Sequence, residues 1–325
     1  MNQVQLYRHE KPFVTESGTI LHDLQIAYHT YGKLNKDQSN VVWVCHALTA
    51  NSDVADWWNV VFGKNKLLDP EKYFIVCANN LGSCYGTQFK QSDSGNQSLS
   101  FNKIKLTTRD LVNAHHLLYA HLKLNKIFLI IGGSQGGQQA MEWAIQVPSS
   151  IEHMVLLACN AKHSAWGVAF NEAQRMAIEA GENGLKAARA IAMLSYRNYQ
   201  MYHRTLDEQK EPDYHGTISY QQYQGEKLAK RFTTDSYYIL SSVMDSHDVG
   251  RGRAGIENSL SLIIAKTLVI GISTDILFPI SEQNFLAANI PNAKLKIISS
   301  PFGHDGFLTE GKKINKIVKS FLNYK

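Results

Sequence analysis

The stretch Ile127–Val147 reads IFLIIGGSQGGQQAMEWAIQV and carries the motif G-x-S-x-G around Ser134. The apolar run Ile127–Ile131 predicts a strand before the motif, and Gly137–Val147 predicts a helix after it, ended by Pro148. In a sharp turn between strand and helix, glycines have no side chain and let neighbouring segments of backbone pack closely. The serine then has a strained backbone conformation that places its hydroxyl above the sheet. A glycine-rich turn can also lack chemistry, so this flanking context is what favours Ser134 as a nucleophile.

A nucleophilic serine needs a base and an acid that orients the base, and on such a sheet they follow in the order Ser, Asp or Glu, His. Asp275 lies in STDILFP after a predicted strand at 267–271, and His304 lies in FGHDG after one at 295–298. Considered alone, Asp275 could be a helix cap. His304 could be a surface-loop residue placed there by chance, since the chain has 13 histidines. Their joint order and their positions after strands predict a triad with Ser134.

An oxyanion hole in this arrangement uses two backbone N–H groups. One should belong to Gln135, which follows the nucleophile. The other should come from the loop after strand 41–44, and Leu48 is the candidate there. Cys45 and His46 also suggest a cysteine–histidine dyad, but adjacent residues at a strand end rarely face each other.

The remaining pattern predicts an α/β-hydrolase fold: a mainly parallel sheet with helices on both faces and an inserted helical lid domain. We expect a first core part at 1–162, the lid at 163–258 and a second core part at 259–325. Within the lid, Glu179–Leu194 and Tyr220–Phe232 have the clearest helical spacing. The other predicted strands and helices are 73–78, 154–158, 108–121, 281–289 and 312–322.

Composition excludes several classes of protein. The 325 residues are 44% hydrophobic with a net charge of +5 and no basic run, so neither disorder nor nucleic-acid binding is expected. No apolar run is long enough to cross a membrane, and the N-terminus has no secretory pattern. The four cysteines form no C-x-x-C pair, and His115, His116 and His121 lack a matching acid cluster, so we expect no metal. These features favour a cytoplasmic protein.

With these residues in place, the chain resembles the homoserine O-acetyltransferase family. The resemblance begins at IAYHTYG (26–32) and extends over nearly the whole chain. Further matching segments are CHALTANSDVADWW, CANNLGSCYGT, TTRD, GGSQGGQQAMEWA, FNEAQR, YQGEKLAKRF, MDSHDVGRGR, STDILFP and GHDGF. The segment after Gly86 departs from the family, because it lacks the usual proline and Asp-Phe-Pro turn.

The resemblance implies transfer of an acetyl group from acetyl-CoA to the hydroxyl of L-homoserine, through a ping-pong route with an acetyl-serine intermediate, in methionine synthesis. It implies that Arg189, Tyr196 and Asp305 hold the amino acid. Guanidinium and carboxylate groups suit a zwitterion, and residues seven apart can share one helix face. It also implies acetyl-CoA as a co-substrate, no tightly bound cofactor, and a homodimer through the lid.

Other readings stay open at this stage. Serine could replace homoserine as the acceptor, because one methylene changes binding by only about 1–3 kcal/mol. Succinyl-CoA could replace acetyl-CoA as the donor, and a simple serine esterase would use the same triad. A non-catalytic binding module on this fold is a fourth reading, which an intact triad disfavours.

Overall fold

The computed structural model describes residues 3–91, 104–207 and 215–322. The segment at 86–106, where the sequence departs from the family, therefore lies largely outside the described residues. The described strands are β1 (Gln5–His9), β2 (Phe13–Val14), β3 (Ile20–Tyr31), β4 (Val41–Cys45), β5 (Phe74–Ala78), β6 (Gln88–Gln91), β7 (Ile127–Gly133), β8 (Ile151–Leu157), β9 (Lys266–Ile272) and β10 (Ala293–Ile298).

Helices cover both faces of this sheet. They are α1 (Val54–Trp57), α2 (Thr108–His121), α3 (Gln135–Gln146), α4 (Ala165–Glu179), α5 (Gly184–Tyr196), α6 (Tyr199–Tyr202), α7 (His215–Ala229), α8 (Thr234–Asp245), α9 (Ile256–Ser261), α10 (Ile280–Asn289), α11 (Gly306–Thr309) and α12 (Gly311–Leu322). Helix α2 has the predicted bounds, and α3 begins two residues earlier than predicted.

The six predicted strands form one parallel sheet in the order β5-β4-β7-β8-β9-β10. Parallel strands joined by helices place all their carboxyl ends at one edge, which is where such sheets carry their sites. Strands β1, β2, β3 and β6 extend the sheet in antiparallel fashion beyond β5. The predicted fold class is confirmed, with this antiparallel extension as an addition.

Alternate residues of each central strand enter different cores. Trp43 points into the core that contains α2 and α3, where its ring lies 4.9 Å from that of Trp143. Val42 and Val44 point into the opposite core, which contains α12. Since both faces are covered, the strands are apolar on both sides, as the sequence predicted.

The chain between β8 and β9 holds α4 to α9, and neither of its two predicted helices has the predicted bounds. Helix α4 ends at Glu179 and α5 starts at Gly184, so Glu179–Leu194 is not one helix. Gly181 takes φ +120 between them, a conformation that glycine adopts freely. Helix α7 ends at Ala229 rather than 232, because the chain turns there to begin α8 under the Thr233 cap.

This helical segment packs on the carboxyl edge of the sheet. The Gln135 amide donates to the Leu240 carbonyl at 3.0 Å, and the Trp166 indole donates to the Ile276 carbonyl at 2.9 Å. A third apolar core joins Leu48 and Phe278 of the strand-end loops to Tyr237 of α8. The helices therefore cover the edge at which the predicted catalytic residues lie. No helix within the described ranges is both long and apolar enough to cross a bilayer.

Candidate active site

The turn between β7 and α3 has the strained geometry that the motif predicts. Ser134 has φ 55 and ψ −127, a backbone conformation that residues other than glycine rarely adopt. A Cβ atom on Gly136 would lie 2.1 Å from the Cys45 carbonyl oxygen, so only glycine lets the turn pack against β4. The Ser134 N–H donates to the Leu157 carbonyl at 2.9 Å, which anchors the turn to β8.

Asp275 and His304 meet at the same edge. The His304 Nδ1–H donates to Asp275 Oδ2 at 2.7 Å, and both side chains are buried. The other carboxylate oxygen accepts hydrogen bonds from the N–H groups of Leu277 (2.8 Å) and Phe278 (2.9 Å). This fixes the carboxylate and places the proton on Nδ1, so Nε2 is left as the basic nitrogen.

Aromatic rings hold the imidazole against the serine turn. Ring centroids of Phe278, Phe307 and Tyr196 lie 5.1, 5.3 and 5.6 Å from that of His304. Phe307 also packs directly on Gly133, where an added Cβ would meet its ring at 2.5 Å. Within the described chain no hydrogen bond joins the Ser134 hydroxyl to His304. Such bonds are often long before substrate binds.

Two backbone N–H groups of the strand-end turns make no hydrogen bond in the described ranges. Leu48 is in the turn that follows β4, and Gln135 is the first residue of α3. Neither N–H donates to another group in the described part of the chain. Both residues are buried, and the N-terminus of α3 adds its partial positive charge. These are the properties that an oxyanion hole requires.

His46 and Cys45 do not form a reactive pair. The His46 imidazole uses both nitrogens: Nδ1–H donates to the Ala47 carbonyl at 2.9 Å, and Nε2 accepts from the Asn80 N–H at 3.1 Å. Burial lowers the pKa of His46 to about 4 and raises that of the Cys45 thiol. The imidazole therefore serves as a neutral brace between two strand-end loops.

Arg189 and Tyr196 lie together on α5. The Arg189 guanidinium stacks over the Tyr196 ring with its Cζ atom 5.4 Å from the ring centroid. Burial raises the pKa of Tyr196, so its hydroxyl stays protonated. Arg189 forms no ion pair with a carboxylate in the described ranges, in contrast to Arg175 and Arg197. It is therefore a cation available to an anionic ligand.

Asp305 has a partner that the sequence did not predict. Arg197 Nε lies 3.2 Å from Asp305 Oδ2, and the same guanidinium stacks over Phe302 at 5.3 Å. Arg197 directly follows Tyr196 at the end of α5, so its position beside the site could have been suspected. The choice of Asp305 as its partner depends on how α5 packs against the loop at 302–305.

Two further tyrosines of the helical segment were also missed. The Tyr237 hydroxyl donates to Gln174 Oε1 at 2.6 Å deep beneath Tyr196. The Tyr202 hydroxyl is buried and has no hydrogen-bond partner among the described residues. Burial, then the nearby Tyr220, raises the pKa of Tyr202 to about 12, and the charges of Arg197 and Asp305 also act on it.

Two of the histidines of α2, His115 and His116, pack against the core. Burial lowers the pKa of His115 to about 3 and that of His116 to about 4. The His116 ring packs edge-on against Trp143 with centroids 4.4 Å apart. The described residues contain no group of three or more His, Cys, Asp or Glu side chains that could hold a metal ion.

The chain is similar to known proteins in both sequence and fold. The family model described as the alpha/beta hydrolase fold matches residues 40–311. The homoserine O-acetyltransferase of Cyclobacterium marinum is 44% identical over 94% of this chain and 91% of its own length. The same enzyme of Chlorobium chlorochromatii is 40% identical over 99% of this chain and 96% of its own length.

Solved structures show the same fold. Homoserine O-acetyltransferase from Staphylococcus aureus superposes with a TM-score of 0.85 at 30% identity, covering 100% of this chain and 96% of that one. Esterase E22 superposes with a TM-score of 0.85 at 20% identity, covering 99% of this chain and 100% of that one, which shows likeness of fold alone.

Proposed function

Because the chain belongs to the homoserine O-acetyltransferase family of the alpha/beta hydrolase fold, we propose that it transfers an acetyl group from acetyl-CoA to the hydroxyl of L-homoserine, a step of methionine synthesis. The observation that carries the proposal is the hydrogen bond from His304 Nδ1 to Asp275 Oδ2, 2.7 Å long, near the strained turn at Ser134. It supports the proposal because the chain is so similar in sequence to those enzymes. No tightly bound cofactor is needed for this chemistry.

In the first half-reaction, Ser134 Oγ attacks the thioester carbonyl carbon while His304 Nε2 takes the hydroxyl proton. The C–S bond then breaks, and the imidazolium returns the proton to the departing CoA sulfur. In the second half-reaction, His304 takes the proton of the homoserine hydroxyl, whose oxygen attacks the acetyl-serine. The acetyl ester leaves, and the proton returns to Ser134.

Asp275 and two backbone N–H groups support both steps. Asp275 accepts from the Nδ1–H and stabilises the imidazolium that forms twice in each turnover. The Leu48 and Gln135 N–H groups donate to the oxyanion of each tetrahedral intermediate, and removal of one such donor typically costs about 10²–10³-fold in rate. A backbone donor does not depend on the side chain, so glutamine at 135 is compatible with this role.

The acceptor amino acid is bound by α5 and the loop after β10. Arg189 can grip the carboxylate through two parallel N–H bonds, since it has no carboxylate partner in the part of the chain that the structure describes. Tyr196 lies between Arg189 and His304 and can donate to the acceptor. Asp305 can accept from the ammonium group. The hydroxyl at the far end of homoserine would then reach toward His304.

Transfer rather than hydrolysis requires that water be kept from the acetyl-serine. Ser134 is only 6% exposed, and the helical segment packs beside it. The Leu240 carbonyl accepts from the Gln135 amide, and Tyr237 shares an apolar core with Leu48 and Phe278. We propose that this segment works as the lid that makes the enzyme a transferase.

We further propose that a second copy of the chain covers the outer face of the lid. Six large apolar residues on α4 to α7 are half or more exposed: Trp166, Met176, Leu194, Tyr199, Ile218 and Tyr223. Light scattering on the purified protein should give the mass of a dimer at micromolar concentration. A monomer there would contradict this proposal. The four cysteines are free, which suits a reducing cytoplasm.

The deciding experiment measures thiol release from acetyl-CoA and from succinyl-CoA, each with L-homoserine, with L-serine and without an acceptor. Fast release that requires homoserine would support the proposal. Equal release without any acceptor would identify a hydrolase, and a preference for serine or for succinyl-CoA would change the substrate while keeping the triad. Absence of release under every condition would contradict the enzymatic proposal.

A further inference from the structure

The ion pair between Arg197 and Asp305 joins the lid to the loop that carries the catalytic histidine. Asp305 is buried, with a side chain 9% exposed, and Arg197 is 17% exposed. The Arg197 guanidinium lies between the Asp305 carboxylate at 3.2 Å and the Phe302 ring at 5.3 Å. Three residues of one short loop, 302, 304 and 305, thus contact α5 through Arg197 or Tyr196.

The backbone confirms how closely α5 approaches this loop. Gly303 takes φ +59, and a Cβ atom on it would lie 3.0 Å from the Tyr196 carbonyl oxygen and the Arg197 carbonyl carbon. A buried carboxylate without a cation carries a large free-energy cost, so Asp305 needs a permanent partner before any substrate arrives. Arg197 supplies that charge from a direction set by the end of α5.

The contact is an ion pair without a hydrogen bond. Arg197 Nε lies 3.2 Å from Oδ2 but donates no hydrogen bond in the ranges that the structure describes, and Oδ1 accepts none there, so the carboxylate can still accept from a ligand. Because Arg197 is already neutralised and stacked on Phe302, it is less suited than Arg189 to bind a second carboxylate. Arg189 within α5 and Arg197 just after its end therefore have different tasks.

We propose that Arg197 is a positioning residue that holds the Asp305 carboxylate in place, so that its Oδ1 atom receives the ammonium group of the acceptor. This inference rests on the proposed function, because it concerns the second half-reaction only. Arg197 itself does not touch the reacting atoms. Its loss should weaken binding of the amino acid without slowing the formation of the acetyl-serine.

The test compares Arg197→Gln and Arg197→Lys with wild type in two assays. The first follows acetylation of Ser134 by acetyl-CoA alone, using rapid quench and intact mass. The second gives kcat and KM for L-homoserine from thiol release. We expect KM for homoserine to rise about tenfold in Arg197→Gln, with acetylation within about twofold of wild type. Arg197→Lys should recover part of the loss, because it keeps the charge but not the fork or the stacking.

A double-mutant cycle separates positioning from a role in the fold. If Arg197 acts through Asp305, adding Arg197→Gln to Asp305→Asn should cause no further rise in KM. Arg204→Gln is the matched control, since Arg204 is an exposed arginine on the same segment. An unchanged KM for homoserine, acetylation slowed as much as transfer, or additive losses in the cycle would each overturn the inference. Failure of wild type to use homoserine would instead overturn the proposed function.

Discussion

The loops of the sheet edge and the helices above them place their functional residues by different means. Ser134, Asp275 and His304 each follow a strand of the parallel sheet, so hydrogen-bonded register brings them to one edge. Arg189, Tyr196 and Arg197 lie on or at the end of one helix, whose position depends on side-chain packing against that edge. Under the proposed function, the sheet edge carries the acyl chemistry, while binding of the acceptor depends on how α5 packs against that edge near Asp305.

The largest expected effect comes from the sheet edge. Ser134→Ala should reduce thiol release from acetyl-CoA in the presence of homoserine by about 10³-fold or more, because no acetyl-serine can form. Intact mass spectrometry should show no acetyl adduct. Ser261→Ala, an exposed serine on α9, is the control. An adduct or normal transfer in Ser134→Ala would show that another residue is the nucleophile.

A substitution in the helices should affect only the second half-reaction. Arg189→Gln should raise KM for L-homoserine by about 10–100-fold, the effect of losing a charge-assisted contact worth about 1.5–3 kcal/mol. Acetylation of Ser134 should proceed as in wild type, and Arg204→Gln should leave both steps unchanged. Slower acetylation in Arg189→Gln would break the division between the two regions.

The packing of the serine turn predicts an effect on stability. Gly136→Ala would place a methyl group against the Cys45 carbonyl, which is backbone and cannot move aside. We expect a loss of about 1–3 kcal/mol in the free energy of unfolding, measured in urea. Ser261→Ala, at an exposed helix position, introduces the same methyl side chain without a close contact and should change it by about 0.5 kcal/mol or less. Equal losses at both sites would contradict this contrast.

Buried histidines predict how stability depends on pH. Burial lowers the pKa of five histidines from the 6.5 of the unfolded chain to between about 3 and about 4. These are His46, His115, His116, His163 and His247. Between pH 6.5 and 4 these histidines are protonated in the unfolded chain but remain neutral in the folded chain. Stability is therefore complete above pH 6.5 and falls as the pH drops, by about 1.4 kcal/mol per pH unit for each histidine within its window.

Urea unfolding at pH 7.5, 6 and 5 checks this dependence. His116→Gln should flatten the decline, whereas His121→Gln, at the exposed end of the same helix, should not. An equal decline in wild type and His116→Gln would show that this buried histidine does not control acid stability. This is the smallest effect expected, since several groups share the dependence.

Much of the sheet edge could be predicted from the sequence because its signals are local. The apolar run before Ser134, the glycines around it and the chain order of Asp275 and His304 are each properties of short segments. Strand register then converts order along the chain into proximity at one edge. For the same reason all six parallel strands were predicted, whereas the antiparallel strands β1, β2, β3 and β6 were not identified from residue patterns.

What the tertiary structure decided lies mostly in the helical segment. The helix packing decides where α4 ends and α5 begins, at Gly181. It also decides that Arg197 pairs with Asp305 and that Tyr237 donates to Gln174. Helical spacing identifies an apolar face but not the surface that it meets. The sequence by itself therefore determined the candidate serine, histidine and aspartate, while only the fold decided which charges stand beside them.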